Sequence, residues 1–245
     1  KMRKDAPIIS CFHLDVSDPT RKRKALDDVS IEVERGTWIE IVGPAGCGKT
    51  LLFSVLSLRA APPKGTRLVV AGRNLDKMPV VEIADMRRLM GSACTRPILL
   101  DDRTVLENLV VPFVVRGEPQ MALDACETLL ETCDLMELRD VPVRELSHQE
   151  RIAVGVLRAM VGRPAGIFID SALDTLEQRL QKPLMTELKQ CHLDGSAVVL
   201  MGYEYTENAR RGRRFRMELG CLTEVETPVI VPAEISEVSE AGGAR

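Results

Sequence analysis

The sequence is poor in rings. Phe, Trp and Tyr together make up 3% of its 245 residues, whereas a broad nucleic-acid platform needs stacking side chains and a basic surface. That basic surface is missing too, because 33 Lys and Arg against 36 Asp and Glu leave a formal charge of −3. No apolar run approaches the roughly 18 residues of a membrane helix, so the chain is not expected to span a bilayer. An apolar stretch from Ala6 to Phe12 follows Lys1, Arg3 and Lys4 but stops at His13, too short for a secretory segment. Cys11, Cys47, Cys94, Cys126, Cys133, Cys191 and Cys221 are scattered, odd in number and free of any CxxC. Reduced thiols in a cytosolic protein follow from that usage. What is present is ordinary for a globular chain. A content of 45% hydrophobic and 28% charged residues excludes disorder for most of the length. The length suits one α/β domain or two closely joined subdomains.

Two β-rich segments, Pro7 to Val16 and Val29 to Val33, flank a polar stretch from Ser17 to Lys24. After the turn Glu34-Arg35-Gly36, Trp38 to Val42 reads as a strand, and an apolar helix follows position 50 as far as about Leu58. A short strand, Arg67 to Val70, precedes a turn at Gly72 and a helix from Val80 to Met90. From Arg103 to Val161 the pattern is helical, clearest over Gln120 to Cys133 and Ser147 to Val161. Strand signals return at Ile167 to Ile169 and Ala197 to Met201, with a helix from about Leu176 to His192 between them. Arg213 to Leu219 is a candidate last strand, and the acidic tail from Glu224 is expected to be mobile. There is no internal repeat. Such alternation of strand and helix implies a mainly parallel sheet with a helical insertion.

Between the strand ending at Val42 and the helix lies Gly43-Pro44-Ala45-Gly46-Cys47-Gly48-Lys49-Thr50, a complete Walker A loop. Glycines let successive backbone N–H groups curl around a phosphate that the helix N-terminus also attracts. Nucleotide is therefore expected on Gly43 to Thr50 and on Leu51, with Lys49 reaching the β- and γ-phosphates and the Thr50 hydroxyl on Mg²⁺. Asp170 ends the apolar run from Gly166 and is the expected second magnesium ligand; a helix N-cap is its alternative role. Cys47, beside Lys49 at a helix start, has the setting of a low-pKa thiol, with a small tolerated side chain as the plainer account.

The arrangement resembles an ATP-binding cassette (ABC) nucleotide-binding subunit from about Ile8 to Leu222. Beyond the loop, the resemblance rests on Leu146-Ser147 followed by Arg151 to Val154 and Leu157 to Ala159, similar to the family's signature helix. It rests also on Ala172-Leu173-Asp174, similar to its D-loop. The stretch Leu99 to Asn108, with Pro112 and Arg116-Gly117, is most similar to the cell-division and lipoprotein-release branch. Taken together this implies a P-loop NTPase fold: a mainly parallel core (1–92 and 164–224) with an antiparallel β subdomain, and a helical subdomain (93–163), ahead of the tail at 225–245. ATP and Mg²⁺ are the implied cofactors. Implied partners are an integral membrane permease-like subunit and a second ABC subunit, on the cytoplasmic face of a membrane and without nucleic acid.

The departures fall on catalytic parts. Where the family has a Glu after the Walker B Asp, this chain has Ser171, and a serine cannot act as a carboxylate base. Glu177 lies a helical turn or more beyond. The family's switch histidine falls near Tyr203, which either donates to a γ-phosphate or packs at a strand end. Its Gln falls near Thr95, too short to span the same distance. The aromatic that stacks on adenine would fall near Asp18-Pro19, where there is none. The signature is shortened to Leu146-Ser147-His148-Gln149-Glu150-Arg151, without the glycines that allow close approach to phosphate. Ser147 remains an expected N-cap. His148 is expected as a solvated helix-start residue, with a γ-phosphate donor as the alternative. Arg210-Arg211-Gly212-Arg213-Arg214 reads as a solvated turn or as a phosphate-binding cluster. Three functions compete: a nucleotide-binding pseudoenzyme on a membrane complex, a working ABC ATPase, and a non-ABC P-loop phosphotransferase with the arginine cluster as lid.

Overall fold

A computed structural model describes residues 6–18, 23–63, 65–75, 78–206 and 212–226. Two sheets organise them. The smaller is wholly antiparallel and is ordered β2 (Arg23–Val33), β1 (Ile9–Asp18), β4 (Arg67–Val70), β5 (Arg73–Asn74). Ile9, Cys11 and Leu14 of β1 and Leu26, Val29, Ile31 and Val33 of β2 are buried on it. Both strands reach further than their apolar patterns predict, into the polar stretch Ser17 to Lys24. Lys24 pairs across the hairpin with Asp15 and along its own strand with Asp27. Cross-strand ion pairs of this kind hold polar residues in a ladder that hydrophobic periodicity does not reveal. Pro19 to Lys22 lie outside the described residues.

The larger sheet runs β10 (Cys221–Val225), β9 (Arg213–Glu218), β3 (Trp38–Val42), β8 (Ala197–Gly202), β7 (Gly166–Asp170), β6 (Met90–Cys94). Its pairs are parallel except the β9–β10 hairpin at one edge. Every residue of β3, β7 and β8 is buried, as a parallel sheet covered on both faces requires. On one face, Ala197, Val199 and Met201 join Ile39, Ile41, Phe168 and the smaller sheet, together with α1 (Lys49–Leu56). On the other, Val198 and Leu200 join Ile167, Ile169 and the helices α3 (Val105–Arg116), α4 (Ala122–Thr132), α5 (His148–Met160) and α6 (Gln178–Leu193).

Two predicted elements change. The helix expected over Val80 to Met90 stops early as α2 (Val80–Arg87), and Met90 to Cys94 is the edge strand β6. Met-Gly-Ser-Ala-Cys is short of β-branched residues and carries little strand signal. The small residues answer packing: a Cβ at Gly91 would fall 1.7 Å from the Ala159 carbonyl oxygen, so α5 lies directly on this strand. The strand expected to be last is followed by β10, which ends at Val225, inside the expected tail. Residues 227–245 lie outside the described structure. α3 and α5 each begin with a reciprocal capping box, Thr104 with Glu107 and Ser147 with Glu150. The N-cap expected of Ser147 is therefore present.

Candidate functional site

β3 runs directly into the Walker A loop, and two of its glycines have no substitute. A Cβ at Gly43 would sit 2.1 Å from the Met217 carbonyl oxygen of β9. Gly48 opens α1 with φ +113°, and a Cβ there would sit 2.7 Å from the Ala25 carbonyl oxygen. The buried Lys49 folds back over the loop, donating from Nζ to the carbonyls of Gly43 (2.6 Å) and Pro44 (3.0 Å). A phosphate arriving at the loop would replace those two acceptors with a charged one.

Asp170 ends β7 beside this lysine. Burial pushes its pKa above the ordinary 3.8, opposed by the neighbouring Thr50 hydroxyl and by the Lys49 charge. The N-cap alternative is not what the fold uses, because α6 begins only at Gln178, after Glu177. A neighbouring hydroxyl and carboxylate are hard oxygen donors, which fit magnesium. Thr50 and Asp170 would hold it.

Ala45 to Leu51 and Ser54 form the floor of a cleft of about 470 Å³. Ser171 and Tyr203 border it at the Lys49 end, and Lys24, Ala25, Leu219 and Gly220 border it where the loop meets the smaller sheet. Ser171, with φ +53°, brings its hydroxyl to 3.5 Å from Asp170 and donates its N–H to the Met201 carbonyl. No carboxylate belongs to this position. Tyr203 does not pack at its strand end. It is 55% exposed, and its ring centroid lies 5.3 Å from Lys49 Nζ, within cation–π range. The segment carrying it is fastened twice. Its N–H donates to Asp174 (3.2 Å), and Thr206 donates from N–H (2.7 Å) and hydroxyl (2.5 Å) to the buried Glu40, which also accepts from Trp38 Nε1 (2.7 Å). Glu40 escaped the sequence reading, although a charged residue inside a five-residue apolar strand was a visible signal.

The remaining expected residues lie elsewhere. Thr95 directly follows β6, whose Cys94 is in register with Asp170. Glu177 donates its N–H to Gln149 Oε1, and Gln149 Nε2 donates to the Thr175 carbonyl, so this acidic residue belongs with the start of α5. His148 is exposed at the first position of α5. Cys47 is buried against the core, its sulfur 3.6 Å from Lys49 Nζ. Arg213 and Arg214 are not in a turn. They are the first residues of β9, Arg213 holding Glu224 at 2.7 and 3.0 Å and Arg214 stacked 4.2 Å from the Tyr205 ring centroid. Arg210 and Arg211 lie outside the described residues.

Comparison with known proteins agrees with this geometry. The family model described as ABC transporter matches residues 26–174. The methionine import ATP-binding protein MetN of Cupriavidus metallidurans is 29% identical over 178 residues, 72% of this chain and 52% of its own length. The macrolide export ATP-binding/permease protein MacB of a Shewanella species is 28% identical over 212 residues, 86% of this chain and 33% of its own. The chain thus spans about half the length, or less, of these curated relatives. Among solved structures, the dimeric form of MJ0796, a bacterial ABC transporter cassette, matches with a TM-score of 0.79 at 20% identity, covering 90% of this chain and 99% of that one. With the family match spanning well over half of its residues, the chain belongs to the ABC transporter family as an ATP-binding domain with the cassette fold.

Proposed function

We propose that the chain is the ATP-binding subunit of an ABC-type membrane complex, of the transport, lipoprotein-release or cell-division kind, holding Mg–ATP with little or no hydrolysis. One observation carries this: the grip formed by Gly43 to Thr50 and Asp170 is complete, while the next position holds Ser171. Lys49 and the loop amides bind the phosphates, and Thr50 and Asp170 hold magnesium, which when bound draws charge from the phosphate oxygens. Nothing at Ser171 takes a proton from an attacking water, a role worth roughly 10²–10⁴-fold. Tyr203 offers a phenol beside Lys49 and supplies no carboxylate either.

A membrane partner docking between Thr95 and Arg116 is supported by exposed apolar residues there: Ile98, Leu100, Val114 and Val115. Among the described residues no helix is long and apolar enough to cross a membrane. In this reading the subunit sits on the cytoplasmic face beneath its partner.

A second reading, a working ATPase, is favoured by Asp174, whose carboxylate accepts from Tyr203 and borders a small cavity shared with Ser171. Calorimetry and phosphate release on one purified sample separate the two. The proposal expects ATP binding that Lys49→Ala abolishes, and phosphate release at background. Equal affinity in the Lys49→Ala variant would refute the site. Turnover that Asp170→Asn abolishes would select the second reading.

A further inference from the structure

Among the described residues, four groups surround the Lys49 ammonium. Nζ donates to the carbonyls of Gly43 (2.6 Å) and Pro44 (3.0 Å), lies 3.6 Å from Cys47 Sγ, and has the centroid of the Tyr203 ring 5.3 Å away. The loop side of this cage is fixed. Gly43 leaves no room for a Cβ before the Met217 carbonyl oxygen of β9 (2.1 Å). The Cys47 carbonyl accepts from the Gly220 N–H (3.0 Å) in the Leu219-Gly220 turn that closes the β9–β10 hairpin, and the Gly220 carbonyl accepts from the Asp27 N–H (3.0 Å). Room for a further group at Lys49 therefore has to come from the side of Tyr203.

That side is where a third phosphate would arrive. The loop amides wrap one phosphate of a nucleotide, and the next one outward reaches the end of the cleft bordered by Ser171 and Tyr203. A phosphate oxygen held by an ammonium lies about 2.8 Å from it, and packed atoms rest near 3.5 Å. Even one oxygen between Nζ and the ring thus needs about 6.3 Å, against the 5.3 Å present. The ring face is also the negative side of its quadrupole and repels that oxygen. Tyr203 is more than half exposed, yet its segment is held. Its N–H donates to Asp174 Oδ2 (3.2 Å), and a Cβ at Gly202 would lie 2.6 Å from that same oxygen, so Asp174 rests directly on the end of β8. Thr206 donates from N–H (2.7 Å) and hydroxyl (2.5 Å) to the buried Glu40 of β3, which Trp38 Nε1 also reaches (2.7 Å). A buried carboxylate keeps its donors firmly, because losing one leaves charge unsatisfied in the interior.

We propose that Tyr203 is a gate on the terminal-phosphate position, latched by Glu40 through Thr206, so that the site favours a nucleoside diphosphate over a triphosphate. The inference rests on the nucleotide-binding reading above. A diphosphate ends short of the ring. A triphosphate seats fully only when the ring lifts from Lys49, which loses the cation–π contact and strains the latch. Glu40 is a positioning residue: it touches no phosphate and acts through Tyr203.

The test is isothermal titration of the full chain with the magnesium complexes of ADP and of a non-hydrolysable ATP analogue, read as the ratio of the two affinities. Wild type should bind ADP about tenfold tighter, as the loss of a partly desolvated cation–π contact implies. Tyr203→Ala should bring the ratio to about one by strengthening the triphosphate. Glu40→Gln sets an amide nitrogen against a donor, and Thr206→Val removes the hydroxyl without touching a buried charge. Each should lower the ratio by about three- to fivefold. A general loss of stability would weaken both nucleotides together and leave the ratio where it was. In a Tyr203→Ala background Glu40→Gln should change the ratio no further, because residues that act as one unit are not additive. An analogue bound as tightly as ADP by wild type, an unchanged ratio in both Glu40→Gln and Thr206→Val, or an equal effect of Glu40→Gln with and without Tyr203 would overturn the gate and leave the nucleotide site standing. Failure of both nucleotides to bind folded wild type would overturn both.

Discussion

Replacing Gly43 and Gly46 by alanine, one at a time, separates two reasons for glycine in the same loop. Gly43 has an unremarkable φ, and its constraint is space. A new Cβ would lie 2.1 Å from the Met217 carbonyl oxygen, 3.1 Å from its carbon and 3.0 Å from Cys47 Sγ. Relief requires β9 and the loop to separate by about 1.4 Å, since nonbonded atoms rest near 3.5 Å. That motion pulls on the β3–β9 pairing at Val42 and Arg216. Overpacking against backbone costs about 3 kcal/mol, with about 1 kcal/mol more for a weakened hydrogen bond. Gly46 presents the opposite case. Its φ is +73° and its Cβ would meet nothing within 4 Å, so alanine costs only the left-handed conformation, about 1–2 kcal/mol. At roughly 2–4 °C per kcal/mol for a chain of this size, Gly43→Ala should lower the melting temperature by about 12 °C and Gly46→Ala by about 4 °C. Circular dichroism melts without nucleotide measure both. A Gly46→Ala drop equal to or larger than that of Gly43→Ala would refute the reasoning, because it would mean that the loop does not rest on β9.

Asp170 makes stability depend on pH in a stated direction. Its folded pKa is raised above 3.8 by burial, so its contribution is full below 3.8 and is lost as pH rises through the raised value. Asp170→Asn removes that loss, and the stability gap between variant and wild type should widen in the variant's favour from pH 3.5 to pH 7; a constant gap in urea titrations would contradict the burial argument. Thiol reactivity should follow exposure. Cys221 is exposed, Cys47 is buried, and burial pushes Cys11, Cys126 and Cys133 up to about 12. Peptide mapping after brief alkylation should find Cys221 modified first and Cys47 slow, slower still with Mg–ATP; identical Cys47 labelling with and without nucleotide would mean that the loop does not close around phosphate. ATP should not drive a tight dimer, because His148 and Gln149 carry side chains where close approach needs glycine, and Gln149 is already bonded to Thr175 and Glu177. Light scattering with and without Mg–ATP checks this, and an ATP-dependent shift to dimer mass would show it wrong.

The strand, loop and helix around Gly43 to Thr50 were legible because their signals are all local in sequence. The fold class and the family followed from those residues and from Leu146 to Ala159, and with the family in hand the phosphotransferase reading lapses. Less legible was anything set by distant packing. β6 hides in Met-Gly-Ser-Ala-Cys because its small residues answer to Ala159 of α5, some seventy positions away in sequence. The reach of β1 and β2 depends on ion pairs of Lys24, invisible to a search for hydrophobic alternation. Tyr203 faces Lys49 because Glu40 and Asp174 hold its segment, and nothing in the residues around it announces either partner. The end of the cleft at Lys24, Ala25, Leu219 and Gly220 escaped notice for the same reason, being assembled from two hairpins that meet only in three dimensions.

The hydrogen bonds through which the Leu219-Gly220 turn holds Cys47 and Asp27 bear on how this protein can change over generations. Surface hairpin turns are ordinarily where chains accept extra residues at little expense. Here one added residue would withdraw Gly220 from the phosphate loop and from β2 together. A scan of single-residue insertions should therefore find this exposed turn as intolerant as the buried strands, while the exposed turn at Gly117, whose Cβ would meet nothing within 4 Å, accepts them. The outer edge of the molecule is thus held to a fixed length by the loop beneath it.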